Sequence, residues 1–418
     1  MSTGENMISS EQNVWPAGDV TRVPFWIYTD DEIYRKEQES IYLGPVWNYL
    51  CLEAEIPKSG DYCTAFVGDM PVVVTRGPDG GVNAFENRCS HRGSLLALKQ
   101  RGNAKDFVCV YHAWRHDIKG NLLSVAFSRG VNGEGGMPPD FNVCNHGPRK
   151  LRVTTLGGLV FGTLSDETPP IEEYLGEPIL ARLNRVLRNK PLRIYGGYTQ
   201  VLKHNWKLYF ENIKDSYHSS ILHTFFATFK VSRLSQGGGL IVSDSGAHHC
   251  SYSLVHQGGA DKEFDQEKLR SNMEQEFKLQ DKSLLEVEDE FNDDTRAQAV
   301  TIFPGFVLQT VHNTIAVRHI QPKGPNETHL KWTMIGFEDD SERLQDMRMK
   351  QANLAGPAGF VSMEDGAIGG FVRRGSAAAD KESTVVLMGG MSTSSSNSRA
   401  TEGAIRGFWK AYRSYLGI

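Results

Sequence analysis

Two short stretches, FENRCSHRG at 85–93 and FVCVYHAW at 107–114, decide how the first part of this chain folds. Each stretch carries one cysteine and one histidine, and these four residues are Cys89, His91, Cys109 and His112. The pattern is C-x-H, seventeen intervening residues, then C-x-x-H. Short β-like runs surround both stretches, so each pair is expected at a turn between strands. Thiolates and imidazoles converging from two turns indicate a metal site.

The order of the ligands narrows the kind of metal site. A [2Fe-2S] cluster of the Rieske type takes two cysteines on one iron and two histidines on the other, and the neutral imidazoles raise its reduction potential. A structural zinc ion also accepts two Cys and two His. Zinc spacings commonly pair Cys with Cys and His with His, however. The alternating order, with Arg92-Gly93 after the first pair, favours the cluster and predicts a chain that passes single electrons.

A second set of ligands lies in the predicted helix at 204–230, which contains Asp215, His218 and His223. Asp215 and His218 are three apart and share a helical face. His218 and His223 are five apart, which an ideal helix separates by about 140°. A π-turn or a break would bring both imidazoles to one point. Two histidines and a carboxylate on one side of an iron leave the other side open for O2 and substrate.

The carboxylate of this second site is expected from a distant segment. The best candidate is Asp365 in GPAGFVSMEDGAIGG, where flanking glycines allow close packing, and Glu364 is the fallback. Asp215 is assigned a different role, in which it accepts the second N–H of an imidazole and fixes its tautomer. The roles of three other polar residues stay open: Asn212, His312 and His319.

Composition excludes several classes of protein. The chain has a net charge of -5 over 418 residues and contains no basic stripe, so no nucleic-acid partner is expected. No apolar run reaches the ~18 residues of a spanning helix, so no membrane is expected. The cysteines outside the cluster motif show no disulfide spacing, which favours a cytoplasmic location. The chain has no G-x-G-x-x-G fingerprint, so the nicotinamide nucleotide should bind to another protein.

The order of helix-like and strand-like segments along the chain predicts an α+β fold in three parts. Residues 1–44 form an N-terminal arm and a helix that packs on the catalytic domain. Residues 45–165 form a β-rich Rieske [2Fe-2S] domain. Residues 166–418 form a catalytic domain with antiparallel strands and long helices, and it carries the mononuclear iron.

The two constellations resemble those of the large (α) subunits of ring-hydroxylating Rieske non-heme iron oxygenases, over nearly the whole chain. NWKLYFENIKDSYHSSILH at 205–223 is similar to the iron-binding segment of that family, and GPAGFVSMED at 356–365 to the segment with the third ligand. The resemblance implies a helix-grip catalytic domain with a central antiparallel sheet. It implies that the iron ligands are His218, His223 and Asp365.

The resemblance also implies a multicomponent system. The partners would be a small β subunit and an NADH-dependent flavin and iron-sulfur reductase, in an α3β3 or α3 assembly. Asp215 matches the aspartate that links an iron-ligand histidine to a cluster histidine of the neighbouring subunit.

Within the family, segments such as RLSQGGG, SMEDGAIGGFV and RGFWKAYR most resemble the enzymes that act on terephthalate. This implies cis-dihydroxylation of terephthalate to a dihydrodiol dicarboxylate with O2 and electrons from NADH. Salicylate 5-hydroxylases, anthranilate dioxygenases and other benzoate-type Rieske oxygenases are alternatives. A Rieske electron-transfer protein is a distant alternative, since an electron carrier does not need the mononuclear iron site.

Two arginines are candidates for binding an aromatic carboxylate. The planar guanidinium pairs with a carboxylate through two parallel hydrogen bonds. Arg318 interrupts the apolar run TIAVRHI, where a buried charge is costly unless paired. Arg399 follows a serine-rich loop and could close over a bound acid. Both match arginines that the terephthalate enzymes use. The alternatives are an outward-facing arginine on a strand and a solvated arginine in a loop.

Overall fold

The computed structural model describes residues 15–16, 18–229, 231–255 and 279–418. The start of the predicted N-terminal arm, residues 1–14, lies outside the described residues. A first helix follows at Asp31–Glu37 (α1), where the side chain of Asp30 accepts hydrogen bonds from the amides of Glu32 and Ile33. Such a cap accepts hydrogen bonds from backbone N–H groups of the first turn that have no acceptor within the helix. A π-turn at Gln38–Tyr42 continues the helix.

Antiparallel strands build the next region. They are Asn48–Leu52 (β1), Asp61–Val67 (β2), Met70–Arg76 (β3), Val82–Glu86 (β4), Arg101–Asn103 (β5), Asp106–Val108 (β6), Arg115–Asp117 (β7), Leu122–Ser124 (β8), Lys150–Leu156 (β9) and Leu159–Thr163 (β10). One sheet has the order β1-β10-β9-β4-β3-β2-β5, and a small sheet has the order β6-β7-β8. The cluster motif occupies the turns after β4 and β6, so each ligand pair is held between strands.

The second region is a sheet with helices on both faces. Its strands are Leu192–Leu202 (β11), Gly238–Val242 (β12), His249–Leu254 (β13), Thr295–Ile302 (β14), Phe306–Val311 (β15), Thr314–Pro322 (β16) and Thr328–Phe337 (β17). Its helices are Ile171–Leu175 (α2), Glu177–Leu187 (α3), Trp206–Asn212 (α4), Ser219–Leu222 (α5), Thr224–Thr228 (α6), Glu342–Ala355 (α7), Ser362–Gly375 (α8) and Gly403–Leu416 (α9). Short 3-10 turns occur at Phe25–Tyr28, Glu53–Glu55, Val143–Asn145 and Lys282–Leu285.

The catalytic sheet is antiparallel throughout, in the order β11-β17-β16-β15-β14-β13-β12. Its central strands are almost continuously buried, because both of their faces are covered. One face packs on α3 through Leu183 and Val186. The other face packs against α4 and α9 around Trp206, Trp332 and Phe408. The predicted α+β class with a central antiparallel sheet is confirmed.

A buried ion pair joins the N-terminal helix to the catalytic region. The carboxylate of Glu37 accepts a hydrogen bond from Lys207 Nζ, and both side chains are almost fully buried. Trp206 Nε1 donates to the same carboxylate at 2.9 Å, and Tyr412 OH is a further donor. Such a pair is tolerated in the core only because the remaining lone pairs of the carboxylate are also satisfied.

The predicted long helix at 204–230 is broken into α4, α5 and α6. At the first break, Asp215 Oδ1 accepts a hydrogen bond from the amide of Tyr217 at 2.8 Å. A short polar side chain that captures nearby amides in this way competes with the helical pattern. The segment 362–375, for which the sequence analysis predicts no element, is the helix α8. No helix within the described ranges is both long and apolar enough to cross a membrane.

Candidate metal centres and active-site cavity

The two cysteine-histidine turns have matching backbone geometry. The amide of Gly93 donates to the carbonyl of Cys89 at 2.9 Å, and the amide of Ala113 donates to the carbonyl of Cys109 at 2.9 Å. Gly93 has φ of 76° and Ala113 has φ of 53°, so both occupy the left-handed region. Each turn therefore curls around its cysteine and directs the side chains of its ligand pair towards the facing turn.

The ligand side chains converge where these turns meet. Cys89 and Cys109 are 1% and 3% exposed, and their thiols lie within hydrogen-bonding reach of each other. The rings of His91 and His112 have centroids 4.6 Å apart. His91 also stacks on Trp114, with centroids 4.7 Å apart and an interplanar angle of 7°. The arrangement gives buried sulfurs on one side and imidazoles nearer the surface on the other.

Two details fit these residues to a Rieske cluster. Nδ1 of His112 is buried and has no hydrogen-bond partner among the described residues, as a nitrogen reserved for a metal would be. Burial alone would raise the pKa of the Cys109 thiol. The amides of Tyr111 and His112 point at its sulfur and outweigh burial, so the pKa is lowered overall. A thiolate is the form that binds metal, so the turn at Cys109 favours the ligating state, whereas burial and the adjacent Cys109 thiol raise the pKa of Cys89.

The mononuclear site forms at the breaks of the former long helix. His218 precedes α5, His223 separates α5 from α6, and Asp365 comes from the first turn of α8. Asp365 Oδ1 lies 3.3 Å from His218 Nε2 and 3.5 Å from His223 Nε2. One ligand atom from each of the three residues lies within 4.8 Å of the others. Two imidazoles and one carboxylate in this arrangement fit the facial ligation of a non-heme iron.

Both imidazoles of this site have a carboxylate on their other nitrogen. Asp215 Oδ2 lies 3.1 Å from His218 Nδ1, and Glu364 Oε2 lies 3.1 Å from His223 Nδ1. The hydrogen bond to Glu364 fixes the tautomer of His223 so that Nε2 stays available to a metal, whereas Asp215 lies at ion-pair distance from His218 Nδ1 without hydrogen-bond geometry. Glu364, the fallback for the third ligand, is therefore located behind His223, and its neighbour Asp365 faces both Nε2 atoms.

Charges at the site favour a bound cation. Burial opposes protonation of His218, but Asp215 and Asp365 together raise the pKa of its imidazole to about 10. Burial raises the pKa of Asp365, but His223, His218 and Arg318 together lower it to about 2. The side-chain Nδ2 of Asn212 donates to Asp365 Oδ1 at 3.4 Å. The carboxylate thus stays ionised, and Asn212 is in contact with it.

A cavity of about 120 Å³ opens beside the three ligands. A cavity of about 150 Å³ can hold benzene, so this one is of the size class of a single aromatic ring. Apolar walls come from Phe226, Val311 and Val361. Its polar lining includes Ser219, Ser232, Gln298, Gln309, Arg296, His312 and Arg399. The pocket therefore suits a ring with polar substituents.

Arg399 lines this cavity and is held by neutral acceptors. Its guanidinium donates to the carbonyl of Arg233 at 2.9 Å and to Ser219 Oγ and Ser232 Oγ at 3.0 and 3.3 Å. Among the described residues no carboxylate pairs with it. Burial lowers the pKa of the guanidinium to about 10, so it remains a cation near neutral pH. An unpaired, positioned arginine is suited to a carboxylate ligand.

Arg318 does not line the cavity. It is fully buried on β16, and its guanidinium donates to Tyr209 OH at 2.7 Å and lies 4.1 Å from the ring centroid of Trp332. Its charge acts on Asp365 instead. The structure thus separates the two arginines that the sequence suggested as a pair, because Arg318 is enclosed between α4 and the sheet.

Sequence reasoning missed Arg296 and did not assign His312, although both line the cavity. Arg296 is the second residue of TRAQAVTI, which also contains Gln298 and two threonines, so no apolar run marks it as TIAVRHI marks Arg318. His312 begins the tight turn between β15 and β16. His319, the other open histidine, is not among the residues that line the cavity, and its ring packs on Tyr49 with centroids 5.4 Å apart.

Comparisons with known proteins identify the two domains in which these candidate sites lie. Residues 46–132 match the Rieske [2Fe-2S] domain family, and residues 187–418 match the catalytic domain of the ring-hydroxylating alpha subunits. The terephthalate 1,2-dioxygenase terminal oxygenase component subunit alpha 2 of Comamonas sp. is 53% identical, over 96% of this chain and 97% of that protein. The anthranilate 1,2-dioxygenase large subunit of Burkholderia cepacia is 41% identical, over 96% and 95%. Naphthalene 1,2-dioxygenase from Rhodococcus sp. has a similar fold, with TM-score 0.78, 21% identity and 94% coverage of each chain.

Proposed function

Because the chain belongs to the family of ring-hydroxylating alpha subunits with a Rieske domain, we propose that it cis-dihydroxylates terephthalate. The chain is the large subunit of an aromatic-ring dioxygenase, with a Rieske [2Fe-2S] cluster and a mononuclear iron as cofactors. Terephthalate, O2, NADH and a proton would yield the dihydrodiol dicarboxylate and NAD⁺. The single observation that carries the proposal is the unpaired Arg399 in a ring-sized cavity beside the iron ligands.

The proposed ligands of the cluster are Cys89, His91, Cys109 and His112. The convergence of the two turns and the unpartnered His112 Nδ1 support this assignment. The proposed ligands of the iron are His218, His223 and Asp365, supported by the short distances from Asp365 Oδ1 to both Nε2 atoms. When bound, the cluster supplies single electrons and the iron supplies the site of O2 activation.

Asp215 has two proposed tasks. Its contact with His218 Nδ1 keeps that imidazole in the ligating tautomer. Its side chain is 22% exposed, so one carboxylate oxygen can accept a hydrogen bond from a second subunit. The donor would be an exposed cluster histidine of that subunit, for which His91 is a candidate. This role requires neighbouring subunits in an α3 or α3β3 assembly, with a small β subunit in the latter.

Substrate placement follows from the cavity. Arg399 would bind one carboxylate of the substrate through parallel hydrogen bonds. Phe226, Val311 and Val361 would contact the ring and exclude water from the face turned to the metal. The ring would then lie against His218, His223 and Asp365, which line the same cavity.

Further parts of the proposal concern partners and organisation. Electrons from NADH would arrive through a separate flavin and iron-sulfur reductase. We also propose the division into residues 1–44, 45–165 and 166–418 as arm, Rieske domain and catalytic domain. A cytoplasmic location is supported by the cysteines, all of which are described and free of disulfides.

A direct assay tests the proposal. The chain is purified with a candidate small subunit and reductase and supplied with NADH and O2, and product formation is compared for terephthalate, isophthalate, salicylate and anthranilate. We expect a dihydrodiol dicarboxylate from terephthalate, with NADH and O2 consumed in equal amounts. Turnover of salicylate or anthranilate with terephthalate inert would contradict the substrate.

The second candidate is a monocarboxylate substrate, such as anthranilate, salicylate or another benzoate. The observation that favours it is the position of Arg318, which engages Tyr209 and Trp332 outside the cavity. Arg318 is not among the residues that line the cavity, whereas Arg399 is. The same assay separates the two candidates.

A further inference from the structure

Phe226 places an aromatic ring directly beside the proposed iron ligands. The helix α6 begins after His223, and the amide of Ala227 donates to the carbonyl of His223 at 2.8 Å. Phe226 is three residues after His223, and residues at this spacing are neighbours on a helix surface. Its ring centroid lies 5.6 Å from that of the His223 imidazole, at an interplanar angle of 86°. The local fold therefore fixes this ring next to a ligand.

Packing holds the Phe226 ring in the wall of the cavity. The side chain is 9% exposed and packs in an apolar cluster with Val311 and Val361, which also line the cavity. Asp365, whose Oδ1 lies 3.5 Å from His223 Nε2, lines the same cavity. The arene of Phe226 and the proposed iron ligands therefore share one cavity.

Side chains that are oxidised more easily do not compete for this position. Thiols and thioethers react readily with oxidants. Within the described ranges, however, no methionine, cysteine or tryptophan lines the cavity. Tyr252 does line it, but its ring packs on the α3 face of the catalytic sheet, where Arg182 lies 4.1 Å from the ring centroid. This leaves Phe226 as the ring that faces the ligands.

The preceding residue, Phe225, has a different environment. Its ring stacks on Phe360, with centroids 5.2 Å apart and an interplanar angle of 19°, and it contacts Phe229 at 4.9 Å between centroids. Phe225 is not among the residues that line the cavity. Two phenylalanines adjacent in the sequence thus differ in whether they face the metal site, and Phe225 is an internal control for Phe226.

We propose that Phe226 is a site of self-hydroxylation, which the oxygenase modifies when no substrate ring covers its metal site. A ring C–H of Phe226 becomes C–OH with one atom of O2, and the other atom leaves as water. The two electrons come from NADH, which becomes NAD⁺, and one further proton balances the reaction. The inference rests on the electron supply of the proposed function but not on terephthalate as the substrate.

The position of Phe226 makes this modification depend on substrate. In the proposed function, this side chain contacts the substrate ring, so an occupied cavity screens Phe226 from the metal site. An empty cavity of about 120 Å³ leaves Phe226 as the arene beside the ligands. Substrate should therefore protect Phe226, and the hydroxylated chain should accumulate only in turnover that yields no product.

The test uses the assembled, metal-loaded oxygenase with its reductase, NADH, catalase and 18O-labelled O2, without aromatic substrate. O2 consumption is recorded, and trypsin then releases residues 215–230 as one peptide, which contains Phe225, Phe226 and Phe229. Tandem mass spectrometry locates the label. We expect at least about tenfold more label at Phe226 than at Phe225, because reaction falls steeply when the reacting groups are not held together.

Three matched samples test the origin of the label. An aromatic carboxylate that the oxygenase converts should suppress labelling when it is saturating. Asp365→Ala, which is expected to lose the iron, should give no label. Phe226→Leu keeps an apolar side chain and removes the ring, so its peptide should carry no excess label, whereas Phe225→Leu should keep the label at Phe226.

The outcomes separate this inference from the proposed function. Label at Phe226 that requires NADH and Asp365 supports the inference. The inference is wrong if the substrate-free oxygenase consumes O2 and leaves Phe226 unlabelled, or if it consumes no O2 at all. Equal labelling of Phe225 and Phe226 would also contradict it, since a diffusing oxidant would then be responsible. Conversion of salicylate or anthranilate with terephthalate inert would change the substrate and leave self-hydroxylation intact.

Discussion

Each half of the cluster site is a single turn, whereas the iron site joins a broken helix to a segment about 140 residues away in the sequence. In the cluster turns, one backbone hydrogen bond and one left-handed residue fix both ligands locally. At the iron site, Asp365 reaches the histidines only because α8 packs beside α4. The difference indicates that the cluster site depends on local geometry and the iron site on tertiary packing.

Removing Asp365 should have the largest effect, with the iron site lost and the cluster retained. Asp365→Ala takes away one of three protein ligands, so we expect iron binding and turnover to be lost. The cluster, held by other turns, should keep its visible absorption. Metal analysis together with the absorption spectrum checks this. Asp339→Ala, which removes an exposed carboxylate paired with Lys190, is the control. Iron content near the wild-type value in Asp365→Ala would exclude it as a ligand.

A substitution at Asp215 tests whether this residue is needed for electron transfer from the cluster to the iron. Asp215→Ala should retain both metals when Fe(II) is supplied in excess, because neither ligand set includes Asp215. Coupled turnover should fall about 100-fold, because the carboxylate proposed to link His218 to the neighbouring cluster is lost. Single-turnover product formation and the iron content are the measurements. Normal coupled turnover in this variant would remove the proposed role of Asp215.

Glu364 offers the comparison with Asp215 at the second histidine. Glu364→Gln keeps the shape but weakens the carboxylate contact with His223 Nδ1. We expect iron affinity to fall about tenfold, within the usual range for such partners. Chelator competition measures the affinity. If Glu364→Gln instead impaired electron delivery with unchanged iron affinity, the two carboxylates would have the same function, contrary to our assignment.

The sequence predicted local features better than distant ones. The spacing around Cys89 and Cys109 was sufficient because each turn contains its own ligands. The 140° argument for His218 and His223 required a break in the helix, and the structure has one. The helix α8 was missed because glycines in SMEDGAIGG lower helix propensity, and packing on α4 outweighs that cost.

The substrate cavity was harder to predict for the same reason. Arg296 and His312 come together through strand pairing, which one sequence does not reveal. Arg318 and Arg399 gave similar sequence signals, as charged residues in unusual settings. Only the enclosure of Arg318 by Tyr209 and Trp332 distinguishes the two.

The charge at His218 predicts how iron binding depends on pH. Its ordinary pKa is 6.5, and the value of about 10 in the folded chain means that the metal-free imidazole stays protonated above neutral pH. Iron must displace that proton, so affinity should rise about tenfold per pH unit between pH 7 and 9. Asp365, with a pKa of about 2, remains ionised throughout and adds no opposing slope. Anaerobic titration of Fe(II) at several pH values checks this, and a flat profile would contradict it.

The same shift predicts the stability of the metal-free chain. A raised pKa stabilises the folded state fully below pH 6.5, and that contribution is lost as pH rises through about 10. Thermal unfolding of the metal-free protein between pH 6 and 10 should therefore show a falling Tm. The metal-loaded protein should show less of this decline, because its His218 has no proton to lose.

The smallest expected effect is on stability, and it comes from substitutions at the left-handed residues of the two cluster turns. Gly93 and Ala113 hold the same left-handed position, and a methyl group on Gly93 would meet nothing closer than Arg88 Cδ at 4.0 Å. Gly93→Ala therefore costs only backbone strain, about 1 kcal/mol. Ala113→Gly should relieve a similar strain, but glycine loses more backbone entropy on folding, so stability should be unchanged or only slightly higher. Thermal unfolding of the cluster-loaded protein measures both. A large loss in Gly93→Ala would mean that this turn, unlike its partner, meets a constraint beyond its own backbone.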